Sequence, residues 1–191
     1  VDISDMVDWY IYFGFRDRGY EYLFKQINPE DYILDVGANI GYISMLCAQR
    51  ASRGFVYGFE PSAYTFDKCQ INLSLNRFEN VKVFRLGMGA EAGRVQLSVV
   101  DRNNRGRNRV VLNNVSTSAG EHIEVSTIDS WIRENNVNKI DLIKIDVEGF
   151  EMEILKGAER TLQKFKPKLF LEVNNIFLEN FGSSAANLFN W

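Results

Sequence analysis

The sequence predicts an α/β fold, a parallel sheet covered by helices on both faces. Three observations predict it. Short apolar strand-like segments alternate with helix-like segments from residue 32 onward, the pattern of βαβ units. All three prolines, Pro29, Pro61 and Pro167, stand beside a predicted strand, where each would punctuate a turn. The length of 191 residues, 46% of them hydrophobic, suits one domain with a sizeable core.

The elements follow in order. Residues 1–30 are rich in aromatics, including Trp9, Tyr10, Tyr12, Phe13, Tyr20 and Phe24, and read as one or two helices leading into the core. Residues 31–191 form the main domain. Tyr32–Gly37 reads as a strand, Gly41–Ala51 as a helix and Gly54–Glu60 as a strand. Ser62–Asn76 is a helix with Phe66, Cys69 and Leu73 on one apolar face. Val81–Gly87 is the next strand. Two segments, 94–100 and 122–128, read as antiparallel strands around a polar loop. A short helix covers 128–136. Asp141–Glu148 is a strand, Phe150–Phe165 a helix, Lys168–Val173 a strand, and a last helix begins near Ser183. Crossovers between parallel strands are right-handed, and such sheets bind ligands beyond the carboxyl ends of their strands.

Bulk properties exclude some classes. A formal net charge of −3 argues against a partner held mainly through phosphate neutralisation. No apolar run approaches the roughly 20 residues of a membrane span. The start, VDISDMVDWY, lacks the pattern of a signal peptide. The two cysteines, Cys47 and Cys69, have no zinc or redox spacing and read as buried thiols. The expectation is a cytoplasmic protein without a bound metal.

The chemistry concentrates at three strand ends. LDVGANIGY, Leu34–Tyr42, is a strand, a glycine turn and a helix start. Gly37 permits a tight turn, and Gly41 permits close approach at the first helical turn. The second and third glycines of the dinucleotide fingerprint are missing, Asn39 standing in place of the second. Asp35 suits a ligand with an amino group better than a phosphate. Glu60 lies 19 residues past Gly41, where an acid takes ribose hydroxyls in nucleotide-binding units. A cap for the helix opening at Ser62 explains Glu60 equally well by itself. Taken with Asp35, Gly37 and Gly41, the nucleoside reading is the better one. An amino-acid end and a ribose end together describe S-adenosylmethionine. The third end is DLIKIDVEGFE. It places Lys144, Asp146 and Glu148 on one parity of a strand, so all three would face one side.

The segments ILDVGANIGYISMLCA, VYGFEPSAYTFDKCQINLSLN and IDLIKIDVEGFEMEILKGAERTL resemble the signature blocks of the FkbM family of methyltransferases, a likeness running from about Gly19 to Asn174. The resemblance implies a class I methyltransferase fold, a Rossmann-like sheet of seven strands. It implies that the chain ends before the last two of them, or completes its sheet another way. It places Asp35, Gly37, Asn39 and Gly41 around the methionine end, Glu60 with Pro61 and Ser62 at the ribose, and Gly87 and Met88 at the adenine edge. Asp146 would lie near the methyl group, Glu21 near the amino group, and Ser116 in a loop touching cofactor or acceptor. The implied reaction is O-methylation of a sugar, glycan or secondary metabolite. Asp146, Glu148 and Glu172 are the candidate bases, with Lys144 pairing one of them, acting as base itself, or forming a structural pair with Glu172. Family members often carry His two residues after this glutamate, where the present chain has Asn174. His122, the one histidine, reads as a surface residue. Arg102, Arg105, Arg107 and Arg109 read as a solvated loop. Two alternatives stand beside this reading: a non-catalytic module that kept the fold, and a nicotinamide-dependent oxidoreductase. A nucleic-acid base methyltransferase fits less well, because DVEG stands where such enzymes carry a proline- and aromatic-containing motif.

Overall fold

The structure, a computed structural model, describes residues 6–14, 18–98, 109–111 and 120–191. Two helices, α1 (Met6–Tyr12) and α2 (Arg18–Lys25), precede the sheet. Then come β1 (Tyr32–Val36), α3 (Tyr42–Arg50), β2 (Phe55–Phe59), α4 (Ala63–Asn76) and β3 (Val81–Phe84). A second group follows: β4 (Gly87–Met88), β5 (Gly93–Ser98), β6 (Arg109–Val111) and β7 (Gly120–Ser126). The chain continues with α5 (Ile128–Glu134), β8 (Leu142–Ile145), α6 (Glu151–Lys156), α7 (Glu159–Phe165), β9 (Lys168–Leu171), α8 (Asn175–Glu179) and α9 (Ala185–Phe189).

The main sheet is parallel throughout, in the order β3-β2-β1-β8-β9. Its strands are short apolar runs because both faces are covered. In β8, LIKI, every residue is buried. One cluster joins Leu34, Val36, Phe59, Ile143 and Ile145 of the sheet to Trp131 of α5 and to Ile154 and Leu155 of α6. Another cluster joins Ile33, Val56 and Leu142 to Leu23 of α2 and to Cys47 and Ala48 of α3. Cys47 and Cys69 are both free and buried. The small sheet, β4-β7-β5-β6, packs Leu97, Ile123 and Val125 together. Its β5 and β7 are antiparallel, as expected from their sequences.

Four elements differ from the sequence reading. The strand expected over Val81–Gly87 is divided. Its first part joins the main sheet, while Gly87–Met88 pairs with β7 in the other. The strand expected to reach Glu148 stops at Ile145. There the amides of Val147 and Gly149 turn to the Glu151 carboxylate, and Glu148 and Gly149 take φ of 57° and 105°. The helix expected over Phe150–Phe165 breaks at Gly157, where a Cβ would run into the carbonyl oxygen of Gly89. The chain restarts as α7 with the Arg160 and Thr161 amides donating to Asp129, which supplies the missing acceptor at the new N-terminus. The short helix α8 was not anticipated. Asn174 caps it by accepting from the Ile176 amide. Of the seven strands implied, the main sheet holds five among the described residues.

Candidate functional site

The strand order places the site. From β1 the chain passes through α3 to β2 on one side, while β8 leads through α6 and α7 to β9 on the other. The loops after β1 and β8 therefore diverge, and a crevice opens between them at the carboxyl edge. Gly37 follows β1 and Asp146 follows β8. Gly37 has φ of 80°, and a Cβ there would collide with the carbonyl oxygen of Asp146. Glycine is thus required both by backbone conformation and by the closeness of the two loops.

The amides of the first loop are spent internally. Gly37 and Ala38 donate to the Phe59 carbonyl, each at 3.0 Å, and Gly41 donates to Ala38. The Asn39 amide donates to Glu60, and the Ile40 amide to the Asn39 side chain. A dinucleotide pyrophosphate needs such amides unpaired, so the arrangement disfavours the nicotinamide reading.

Glu60 follows β2 directly and is 9% exposed. Its Oε2 accepts from the Asn39 amide and its Oε1 from the Ser62 amide, both at 3.0 Å. It therefore joins the β1 loop to the start of α4. The adjacent Ala63 amide is taken by Glu121 at 2.9 Å. Burial raises Glu60 to about 7, against the pull of its two amide donors.

Beneath the crevice lies an ionic network. Lys144 Nζ is 3.0 Å from Asp35 Oδ1 and 3.6 Å from Asp146 Oδ2, and donates to the Gly37 carbonyl at 2.8 Å. Asp35 also accepts from the Ser44 hydroxyl at 2.5 Å. Burial disfavours the Lys144 ammonium, but Asp35 and Asp146 outweigh this and raise the lysine above its ordinary value. Lys144 is thus held as a cation, and its carboxylate partners are Asp35 and Asp146 rather than Glu172. The Tyr20 hydroxyl, from α2, donates to Asp146 Oδ2 at 2.6 Å. Burial pushes Asp146 up, yet Lys144 and hydrogen bonds from Glu172 and Tyr20 bring it below the usual range. Glu172 moves the opposite way, chiefly through its hydrogen bond to Asp146.

A cavity of about 1140 Å³ opens over these groups. Of the residues singled out in the sequence, Glu21, Gly37, Asn39, Glu60, Pro61, Gly87, Met88, Lys144, Asp146, Glu148 and Glu172 line it. Asp35, Gly41 and Ser62 do not. Asp35 is fully buried behind Lys144, Gly41 packs against Cys69 at the start of α3, and Ser62 is buried at the start of α4. Glu148 leaves the strand alternation that was to align it with Lys144 and Asp146. His122 is exposed on β7. Ser116, Arg102, Arg105 and Arg107 lie outside the described residues, as does the side chain of Arg109. Sequence reasoning missed Tyr20, although its neighbour Glu21 was singled out. It also missed an apolar wall of Leu97, Ile123, Val125, Phe150 and Ile154 beside Met88. The alternation of β5 and β7 carried that signal, since Leu97, Ile123 and Val125 share the inward parity.

Known proteins resemble this chain in the same region. The Methyltransferase FkbM domain matches residues 35–191. Hexuronic acid methyltransferase AglP of Haloferax volcanii is 30% identical over 141 residues, covering 74% of this chain and 55% of that protein. The 2-O-methyltransferase NoeI of Sinorhizobium fredii is 24% identical over 149 residues, covering 71% and 60% respectively. The chain thus spans little more than half the length of these relatives. Methyltransferase FkbM from Methylobacillus flagellatus has a similar fold, with a TM-score of 0.57 at 23% identity, covering 82% of this chain and 37% of that one.

Proposed function

Because the chain belongs to the FkbM methyltransferase family, we propose that it transfers a methyl group from S-adenosylmethionine to a hydroxyl oxygen of a sugar, glycan or secondary metabolite. The observation that carries this reading is the position of Glu60. It is a buried carboxylate fixed by two amides, and it lines the same cavity as the Asp146 pair beside a loop whose amides are spent. A carboxylate of this kind accepts from a vicinal diol, whereas the loop offers nothing to a pyrophosphate.

In this reading Glu60 holds the ribose hydroxyls, with Pro61 beside it. Met88, Gly87, Val125 and Phe150 form the apolar slot for adenine. Gly37 and Asn39 shape the methionine end, and Glu21 on α2 faces its amino group. Asp35, Gly41 and Ser62 act behind the surface: Asp35 holds Lys144, while Gly41 and Ser62 set the starts of α3 and α4. S-adenosylmethionine supplies an activated methyl group on a sulfonium. The chain's contribution is to hold an acceptor oxygen in line with it, and positioning supplies much of such a rate. A hydroxyl also loses its proton, and Asp146, Glu148 and Glu172, all lining the cavity, are the candidate bases.

The name of AglP, a hexuronic acid methyltransferase, favours acidic sugars as first acceptors to examine, and that of NoeI, a 2-O-methyltransferase, favours a hydroxyl oxygen. The test is transfer of labelled methyl from S-adenosylmethionine to a panel of neutral glycosides and uronic acid glycosides. Label in an alkali-stable ether is the expected result. Label found only in an alkali-labile ester would contradict transfer to a hydroxyl, and no transfer to any acceptor would count against the reading as a whole.

A further inference from the structure

Three carboxylates near the cavity could accept a proton, and their surroundings differ. Asp146 Oδ2 receives the Tyr20 hydroxyl at 2.6 Å and faces Lys144 Nζ at 3.6 Å. One oxygen of Asp146 is thus occupied by a donor and a cation. Glu172 stands beside Asp146, each following a strand-end residue of the Ile145–Leu171 pair, with the Glu172 amide donating to the Ile145 carbonyl at 3.0 Å. It follows β9, lines the cavity and is exposed at its mouth. The pair therefore has an inner member held by two fixed groups and an outer member in contact with water. Tyr20 is itself oriented by packing, with its ring 5.6 Å from Phe170 and 6.3 Å from Phe24 between centroids.

We propose that Tyr20 and Lys144 fix Asp146 as the anionic member of this carboxyl pair, and that Glu172, the member open to water, exchanges the acceptor's proton. The proposal rests on the hydroxyl-methylation reading above. In its ionised form, after its own proton has left to water at the mouth, Glu172 takes the proton as the acceptor oxygen bonds to the methyl carbon and the methyl–sulfur electron pair remains on sulfur. It then passes the proton to water at the mouth, ready for another turnover. Tyr20 is a positioning residue, since it acts through Asp146.

The groups facing the pair support this division. Lys144 from β8 and Tyr20 from α2 stabilise charge on Asp146, whereas Glu148, from the turn after β8, and Glu151, from α6, disfavour charge on Glu172. Asp35, from β1, is neutralised by Lys144. When the pair holds one proton it therefore resides on Glu172, and loss of that proton to water readies Glu172 as the base.

The test is a carboxyl ¹³C NMR titration of the free full chain labelled at Asp and Glu. Glu172 is expected to titrate more than one pH unit above the ordinary value of about 4.3, with Asp146 below it. In Asp146→Asn, Glu172 returns toward the ordinary value. In Tyr20→Phe, which keeps the ring packing, Asp146 titrates higher than in the parent chain. Glu172 titrating in the ordinary range, Asp146 holding the upper midpoint, or midpoints unmoved in Tyr20→Phe would each overturn the proposal. If Asp146→Asn fails to fold, Tyr20→Phe carries the test. Neither donor nor acceptor is present, so this result is separate from whether methyl transfer occurs. Where transfer is measured, Glu172→Gln lowers kcat by about a hundredfold or more with donor KM little changed, and Tyr20→Phe displaces the pH profile. An unchanged kcat in Glu172→Gln would reject Glu172 as the base.

Discussion

Lys144 and Asp35 face each other on adjacent parallel strands and form an ion pair at 3.0 Å, with side chains 2% and 0% exposed. The pair lies at the centre of the main sheet, directly under the crevice. Its ammonium also holds the Gly37 carbonyl and one oxygen of Asp146. A single buried cation thus links both loops that form the site.

Removing that cation leaves Asp35 buried without its charged partner. Lys144→Met is expected to destabilise the chain by about 3–5 kcal/mol. The double variant Lys144→Met with Asp35→Leu should recover part of the loss, because it buries no unpaired charge. Urea denaturation of both variants measures this, and equal losses in the two would contradict it.

Gly37 and Gly93 make a controlled comparison. Gly37 has positive φ and no room for a Cβ, while Gly93 has open space around it. Gly37→Ala should lower thermal stability and displace the Asp146 loop. Gly93→Ala should change stability by no more than about 1 kcal/mol. Thermal unfolding of the two variants side by side reads the difference.

Glu60 predicts a pH dependence of a particular sign. Burial raises it to about 7 in the folded chain, so between the ordinary carboxylate range and about 7 the folded state binds more protons than the unfolded state. Its contribution to stability is therefore greatest at low pH and is lost as pH rises through about 7. Asp146 acts in the opposite sense. Its folded value is lowered, so its contribution is present above the ordinary carboxylate range and is lost as pH falls. Glu60→Gln should flatten the fall in unfolding temperature between pH 5 and pH 8. An identical slope in the variant would show that Glu60 is not the group responsible.

Much of the fold was legible because local pattern and packing agreed. Apart from the paired Asp35 and Lys144, the runs in β1 and β8 are apolar, as strands covered on both faces are. The less legible parts depend on contacts distant in sequence. Helix propensity alone does not break Phe150–Phe165; Asp129 takes both ends of one helical bond, its amide donating to the Gly157 carbonyl and its carboxylate accepting from the Thr161 amide. Alternation would carry the strand on to Glu148, but the Glu151 carboxylate gathers the turn amides and ends it. At the site, the glycine turn and Glu60 could be read from spacing. Asp35 could not be placed correctly, because its ammonium partner proved to be Lys144 from a strand more than a hundred residues away. Tyr20 reaches Asp146 across 126 positions, and no local motif announces that contact.

The central claim is that the cavity over Glu60 is a site for S-adenosylmethionine. Calorimetric titration of the full chain tests it most directly, with NAD as control and Glu60→Gln alongside. The account predicts binding of S-adenosylmethionine but not NAD, weakened at least tenfold in the variant, and tightening as pH rises toward about 7 and Glu60 ionises. Binding of NAD in preference, or S-adenosylmethionine binding unaffected by Glu60→Gln, would contradict it.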